Sequence, residues 1–259
     1  MSAKTGMGTL YGASLGPGNP GLITRQVWDL LQDGERRWAY PVRRSGAPSH
    51  ALGIAERAGL VTPEGAMPLI FPMTHDTEIL TRYWLRAGQH VLSELEQGRD
   101  VVFLVEGDAS TYSTFGHLAR TVRGLNPEIV IETLAGVPSH HAAAAALNLP
   151  LTDTDDTLAL VPASYGIDWL DRVLGDFDTL VLLKVKPLLD ELIDWLEGRG
   201  LLDHALFMEK AGTPEERIER QVSCLRGQKV NYLSLLLVRN PLRQRGAVQR
   251  GCRKKTSDS

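Results

Sequence analysis

Three short segments carry residue types able to do chemistry, and each stands where an apolar run gives way to a turn. The first contains Gly12, Leu15, Gly16, Pro17, Gly18, Asn19 and Pro20. Glycines after a strand let the backbone come close to a ligand. The two prolines remove amide donors and stiffen the loop, which suits a wall beside a large ligand better than a diphosphate cradle. Taken alone, a tight strand-to-helix turn accounts for the same residues. The second segment, Glu106, Gly107, Asp108, Ala109, Ser110, Thr111 and Tyr112, follows the apolar residues 101–105. It therefore falls at a strand's carboxyl end, where open α/β sheets bind ligands. Asp108 is the leading candidate for a polar group at a reacting centre. Asp108 or Ser110 as N-cap of the next helix is an equal reading. The third segment, Glu209, Lys210, Ala211, Gly212, Thr213 and Pro214, again follows an apolar run, and Thr213 and Pro214 read as N-cap and first residue of a helix.

The elements that must position these segments alternate in type. Strands are expected at residues 8–15, 69–71, 101–105, 129–134, 158–162, 179–185, 205–209 and 232–238. Helices are expected from about residue 22, then at 76–96, 110–124, 139–147, 166–174 and 187–199, with a polar helix at 215–220. Residues 76–96 place Ile79, Leu80, Tyr83, Trp84, Ala87, Val91 and Leu95 at helical spacing, and Gly98 stops the run. Such alternation indicates an α/β protein built on parallel strands. Leu125, Asn126 and Pro127 mark the expected boundary between an N-terminal domain, 1–125, and a C-terminal domain, 126–239. Residues 240–259 carry six Lys or Arg against one Asp and read as a basic, solvated tail.

Composition narrows the function classes. A hydrophobic share of 43% with 23% charged residues fits a packed core. The net charge of -3 argues against a general role on nucleic acid or on a membrane surface. No apolar run is long enough to span a bilayer, and residues 1–10 lack the apolar stretch of a secretion signal. Cys224 in a predicted helix and Cys252 in the tail do not suggest a disulfide, so a cytoplasmic protein is expected. No Cys and His spacing suggests a bound metal.

The three segments in this order resemble the tetrapyrrole methylase family, together with the turn Ala135, Gly136, Val137, Pro138 and Ser139. Phe71, Pro72, Met73 and Thr74, with Tyr112, Ser113, Thr114 and Phe115, look like the branch that methylates carbon 20 of precorrin-2 or of its cobalt chelate. The resemblance runs from about residue 8 to residue 239. It implies two α/β domains with a ligand cleft between them, a homodimer, and S-adenosylmethionine as cofactor. Carried residue by residue, it implies cofactor contacts at Leu15, Pro17, Gly107, Asp108, Thr111, Pro138, Ser139, Lys184, Ala211 and Tyr232. Asn19, Ala109, Pro138 and Lys184 depart from residues common in the family at those places. Arg36, Arg37, Arg43 and Arg44 are candidates for the carboxylates of such a substrate, although a solvated charged loop is the simpler reading for most of them. A related enzyme acting at another carbon, or a tetrapyrrole-binding protein without catalysis, fits the same motifs.

Overall fold

A computed structural model describes residues 6–246, and the chain divides into two units. The first comprises Met1–Ala143 together with Ala211–Glu215. In chain order it holds β1 (Leu10–Ser14), α1 (Arg25–Leu31), β2 (Arg37–Val42), α2 (His50–Arg57), β3 (Met67–Ile70), α3 (Thr77–Leu95), β4 (Val101–Val105), α4 (Phe115–Leu125) and β5 (Ile131–Leu134). The next helix, α5 (Ser139–Leu147), contains the division between the units. The five strands form one parallel sheet in the order β3-β2-β4-β1-β5.

All five residues of β4 are buried, as a central parallel strand with both faces covered requires. Its alternate residues feed two cores. Val101, Phe103 and Val105 join Val91 and Leu95 of α3 and Leu118 and Val122 of α4. Val102 and Leu104 join Val27 and Leu31 of α1, Trp38, and Ile54 of α2. Helix α3 starts where the sequence places it, because the Asp76 carboxylate accepts from the amides of Glu78 at 2.9 Å and Ile79 at 3.0 Å.

Three expectations change in this unit. Residues 35–75 hold β2 and α2, where the sequence pattern places only the strand at 69–71. Helix α4 begins at Phe115 rather than near residue 110, because Tyr112 takes a left-handed φ of 49° that no α-helix tolerates. The break expected at residues 125–127 falls inside this unit: β5 lies beyond it and pairs with β1 along the sheet edge.

The second unit comprises Ala144–Lys210 and Glu216–Ser259. It contains β6 (Leu158–Pro162), α6 (Ile167–Leu174), β7 (Thr179–Leu183), α7 (Leu189–Gly198), β8 (Ala205–Glu209), β9 (Arg217–Glu219) and β10 (Ser234–Arg239). Its sheet order is β6-β7-β10-β8-β9, and only β6 and β7 are parallel. The all-parallel expectation thus holds for the first sheet and not for this one. Strand β10, buried from Ser234 to Val238, inserts between β7 and β8 and runs opposite to both. Residues 215–220 do not form the expected helix, since β9 supplies hydrogen bonds to the free edge of β8. Cys224 is exposed, in a short 3-10 turn, and Cys252 lies outside the described residues.

The part of the basic tail that is described is mostly exposed, yet it is anchored to the second unit. Asn240 donates from its side chain to the Leu174 carbonyl at 2.7 Å and from its amide to the Asp178 carbonyl at 2.8 Å. Arg243 and Arg245 both pair with the buried Asp178 carboxylate, which also accepts from the amide of Thr157 at 2.8 Å. Residues 247–259 are outside the described part.

Candidate active site

Strands β4, β1 and β5 are neighbours, so the turns that follow them stand side by side at the carboxyl edge of the first sheet. The turns after β1 and β4 are stitched by a reciprocal backbone pair, Gly16 amide to Gly107 carbonyl at 3.2 Å and Gly107 amide to Gly16 carbonyl at 2.8 Å. Gly107 has a φ of 77°, and a Cβ added there would meet no atom within 4 Å, so open space lies beside it. Ser14, wholly buried at the end of β1, donates to the Leu134 carbonyl of β5 at 2.5 Å and accepts from the Ala109 amide at 2.8 Å. One hydroxyl therefore ties the second segment to both neighbouring strands.

Asp108 makes the other tie. One carboxylate oxygen accepts from the Ser110 amide at 2.9 Å, the Ser110 hydroxyl and the Thr111 hydroxyl at 3.3 Å. The second accepts from the Gly136 amide at 2.8 Å, in the turn after β5. Burial pushes this carboxyl up, but the bonds from Ser110, Gly136 and Thr111 together hold it below the ordinary range. It is not a helix cap, because α4 starts seven residues later and takes Thr114 as its N-cap residue. A carboxylate so fully supplied with donors is a weak proton acceptor and a good clamp.

Glu106 has the opposite environment. It follows β4 directly and is half-buried. Burial raises its carboxyl to about 7 against a smaller lowering by the Arg43 cation. His140, buried at the start of α5, is driven down to about 4, first by burial and then by His141, with Asp108 opposing.

The third segment reaches the same strand edge. Ala211–Glu215 is part of the first unit, and there Gly212 lies against the Gly18 turn. A Cβ on Gly18 would stand 2.8 Å from the Ala211 carbonyl oxygen and 2.9 Å from the Gly212 carbonyl carbon, and one on Gly212 would stand 2.9 Å from the Asn19 amide. Only a pair of glycines allows this approach. Thr213 accepts from the Glu215 amide at 3.3 Å, but no helix follows.

Of the ten residues named from the sequence, eight lie in the first unit, at the ends of β1, β4 and β5 or in the late turn: Leu15, Pro17, Gly107, Asp108, Thr111, Pro138, Ser139 and Ala211. Leu15 is wholly buried in the core cluster with Val102 and Leu104, so its side chain serves packing. Gly107, Thr111, Pro138 and Ser139 are part-exposed. Lys184 and Tyr232 belong to the second unit. Lys184 is exposed just beyond β7 with a φ of 57°, and Tyr232 precedes β10 rather than lying in it. The arginines separate into two pairs. Arg36 pairs with Asp33 at 2.7 Å, and Arg37 donates to the Glu64 carbonyl at 2.8 Å. Arg43 and Arg44 are exposed directly after β2, beside β4 in the sheet. Glu106 belongs to the second segment but carries no role in the motif. Its position at the end of a buried strand was the available signal.

The family model for tetrapyrrole (corrin/porphyrin) methylases matches residues 9–223. The chain is 32% identical over 207 residues to the probable cobalt-precorrin-2 C(20)-methyltransferase of Methanocaldococcus jannaschii, covering 80% of this chain and 84% of that protein. It is also 32% identical over 233 residues to the cobalamin biosynthesis protein CobIJ of Mycobacterium tuberculosis; the match takes in 84% of this chain but 43% of CobIJ, so this chain spans less than half of that relative. Among solved structures, the uroporphyrin-III C-methyl transferase of Thermus thermophilus complexed with S-adenyl homocysteine is similar with a TM-score of 0.60 at 23% identity, covering 89% of this chain and 97% of that one. That likeness is one of fold.

Proposed function

We infer that this chain, which belongs to the tetrapyrrole (corrin/porphyrin) methylase family, moves a methyl group from S-adenosylmethionine to carbon 20 of precorrin-2 or of its cobalt chelate, on the way to cobalamin. The activity for which the Methanocaldococcus jannaschii relative is named supports the choice of carbon and substrate. The observation that carries the reading is the joining of the four motif turns at one sheet edge, through the Asp108 bond to Gly136 and the contact of Gly18 with Gly212.

The residues present fit this cofactor. Part-exposed Pro138 offers apolar surface for a flat heterocycle, and the part-exposed backbone of Gly107 with the hydroxyls of Thr111 and Ser139 offers polar partners for an amino-acid head. S-adenosylmethionine supplies an activated methyl, because the sulfonium retains the electron pair of the broken carbon–sulfur bond. The chain's own task is then to hold a nucleophilic carbon in line, and orientation of this kind lowers a barrier by up to ~7–11 kcal/mol. Asp108 serves by fixing the shape of the turns and not by reacting. Lys184 and Tyr232 are cofactor contacts on the strength of the family resemblance. Arg43 and Arg44 bind substrate carboxylates, where charge-assisted bonds contribute roughly 1.5–3 kcal/mol each.

The chain works as a homodimer in the cytoplasm. Half-buried Ile79, Leu80, Tyr83 and Trp84, with exposed Leu85, give the first half of α3 an apolar surface suited to a second copy. Among the described residues no helix is long and apolar enough to cross a membrane. Incubation with methyl-labelled S-adenosylmethionine and precorrin-2, with and without cobalt, tests the reading. Label at carbon 20 is the expected result; label at another carbon, or binding without turnover, refutes it.

A further inference from the structure

We propose that Glu106 receives the proton lost from carbon 20 after the methyl group has been transferred; this rests on the substrate and site inferred above. Methylation leaves carbon 20 carrying both the new methyl and its original hydrogen. In the step assigned to Glu106 the carbon–hydrogen bond breaks, its electron pair returns to the conjugated macrocycle, and the proton passes to the carboxylate. A positioned base contributes roughly 10²–10⁴-fold to such a step.

Two carboxylates stand at the end of β4, and the structure separates their roles. Asp108 has both oxygens engaged by Ser110, Thr111 and Gly136. No amide or side chain of a described residue hydrogen-bonds the Glu106 carboxyl, so its lone pairs are unclaimed. Its backbone is nonetheless rigid, held between buried Val105 and the reciprocal Gly16–Gly107 pair. Strand alternation places residue 106 in the series of Val102 and Leu104, on the α1 and α2 side of the sheet. The charged group that acts on it is Arg43, at the end of neighbouring β2, while the end of β1 brings only the uncharged Leu15 and Gly16. Burial holds the carboxyl at about 7, which is close to the value a proton acceptor needs near neutral pH. Arg43 gives the pair a division of labour: it draws a substrate carboxylate to the same strand ends and favours the ionised form of Glu106.

The test compares the full-length chain with E106Q and E106D. Infrared difference spectra without substrate should show a carboxyl band that titrates near pH 7 in the wild type and is missing in E106Q. With S-adenosylmethionine and precorrin-2, E106Q should transfer methyl about 100-fold more slowly. Its affinity for S-adenosylhomocysteine by calorimetry should be unchanged, and the acid limb of its kcat profile should vanish. E106D should keep that limb at a reduced rate, and supplies the answer if circular dichroism shows E106Q misfolded. A wild-type rate in E106Q, a defect confined to KM with the limb retained, or no acid limb in an active E106D overturns the assignment. A wild type that binds no S-adenosylhomocysteine, or methylates a different carbon, instead overturns the reading of substrate and takes this inference with it. Carbon-20 methylation untouched by E106Q removes Glu106 alone.

Discussion

Replacing Asp108 by Asn keeps the shape of the side chain and changes what it can accept. With the amide oxygen turned toward Ser110 and Thr111, the three donors on that side keep an acceptor. The amide nitrogen then faces the Gly136 amide, now 2.8 Å from a second donor instead of an oxygen. One charge-assisted bond is lost and a donor is left unsatisfied, which costs about 2–3 kcal/mol. That corresponds to roughly 30–150-fold in the unfolding equilibrium. The turns after β4 and β5 also come apart, so affinity for S-adenosylhomocysteine should fall along with methyl transfer. This differs from a group acting only at the reacting centre, whose loss would spare affinity. The assay is urea unfolding of wild type and D108N at several pH values, with calorimetry on the folded proteins. Hydrogen bonding holds the folded carboxyl below its unfolded value, so its stabilisation is full above about pH 4 and fades as pH falls through the depressed folded value. The gap between the proteins should therefore narrow on acidification. A gap under about 0.5 kcal/mol at pH 7 would refute the clamp.

Three further outcomes follow from the same geometry. Ser14→Ala strands the buried Ala109 amide and frees the Leu134 carbonyl, and denaturant unfolding should show a loss of about 1–3 kcal/mol. His140 has its folded value depressed to about 4 by burial and His141, so the unfolded chain takes up the proton first. Stability should decline as pH drops from 6.5 toward 4, by at most ~1.4 kcal/mol per pH unit from this residue, and His140→Asn should flatten that portion of the curve. Removing both Arg243 and Arg245 by alanine substitution leaves the Asp178 carboxylate with Thr157 alone; calorimetric unfolding should register a lower Tm, whereas an unchanged Tm would mean the anchored tail carries no stability.

What the sequence disclosed depended on whether the deciding interaction was local. Helix α3 was legible because its apolar spacing, its Asp76 cap and Gly98 all lie within the segment. Strand β4 was legible because five apolar residues in a row admit few other fates. Strand β2, by contrast, contains Arg37 and Pro41 and looks like loop until the sheet pairs it with β3 and β4. Strand β9 is polar because it lies at a sheet edge, so its apolar pattern could not announce it. Tyr112 occupies a conformation that side chains other than glycine seldom adopt, and nothing local marks it. The motif order was readable, as was the placing of the acidic segment after a strand. The contrast between Asp108 and Glu106 was not, since it rests on which carboxylate meets the Gly136 amide from a turn 28 residues away.

The docking of Gly212 on Gly18 also governs how the polypeptide can be dissected. A fragment stopping at Ala143 would lack the five-residue return, Ala211–Glu215, leaving the backbone around Gly18 without the carbonyl and threonine methyl that cover it. Splitting the gene at that point therefore gives two incomplete pieces rather than an autonomous domain and its companion. Complementation from halves would have to deliver this short peptide in trans, and a permuted chain would have to keep it continuous with its flanking strands.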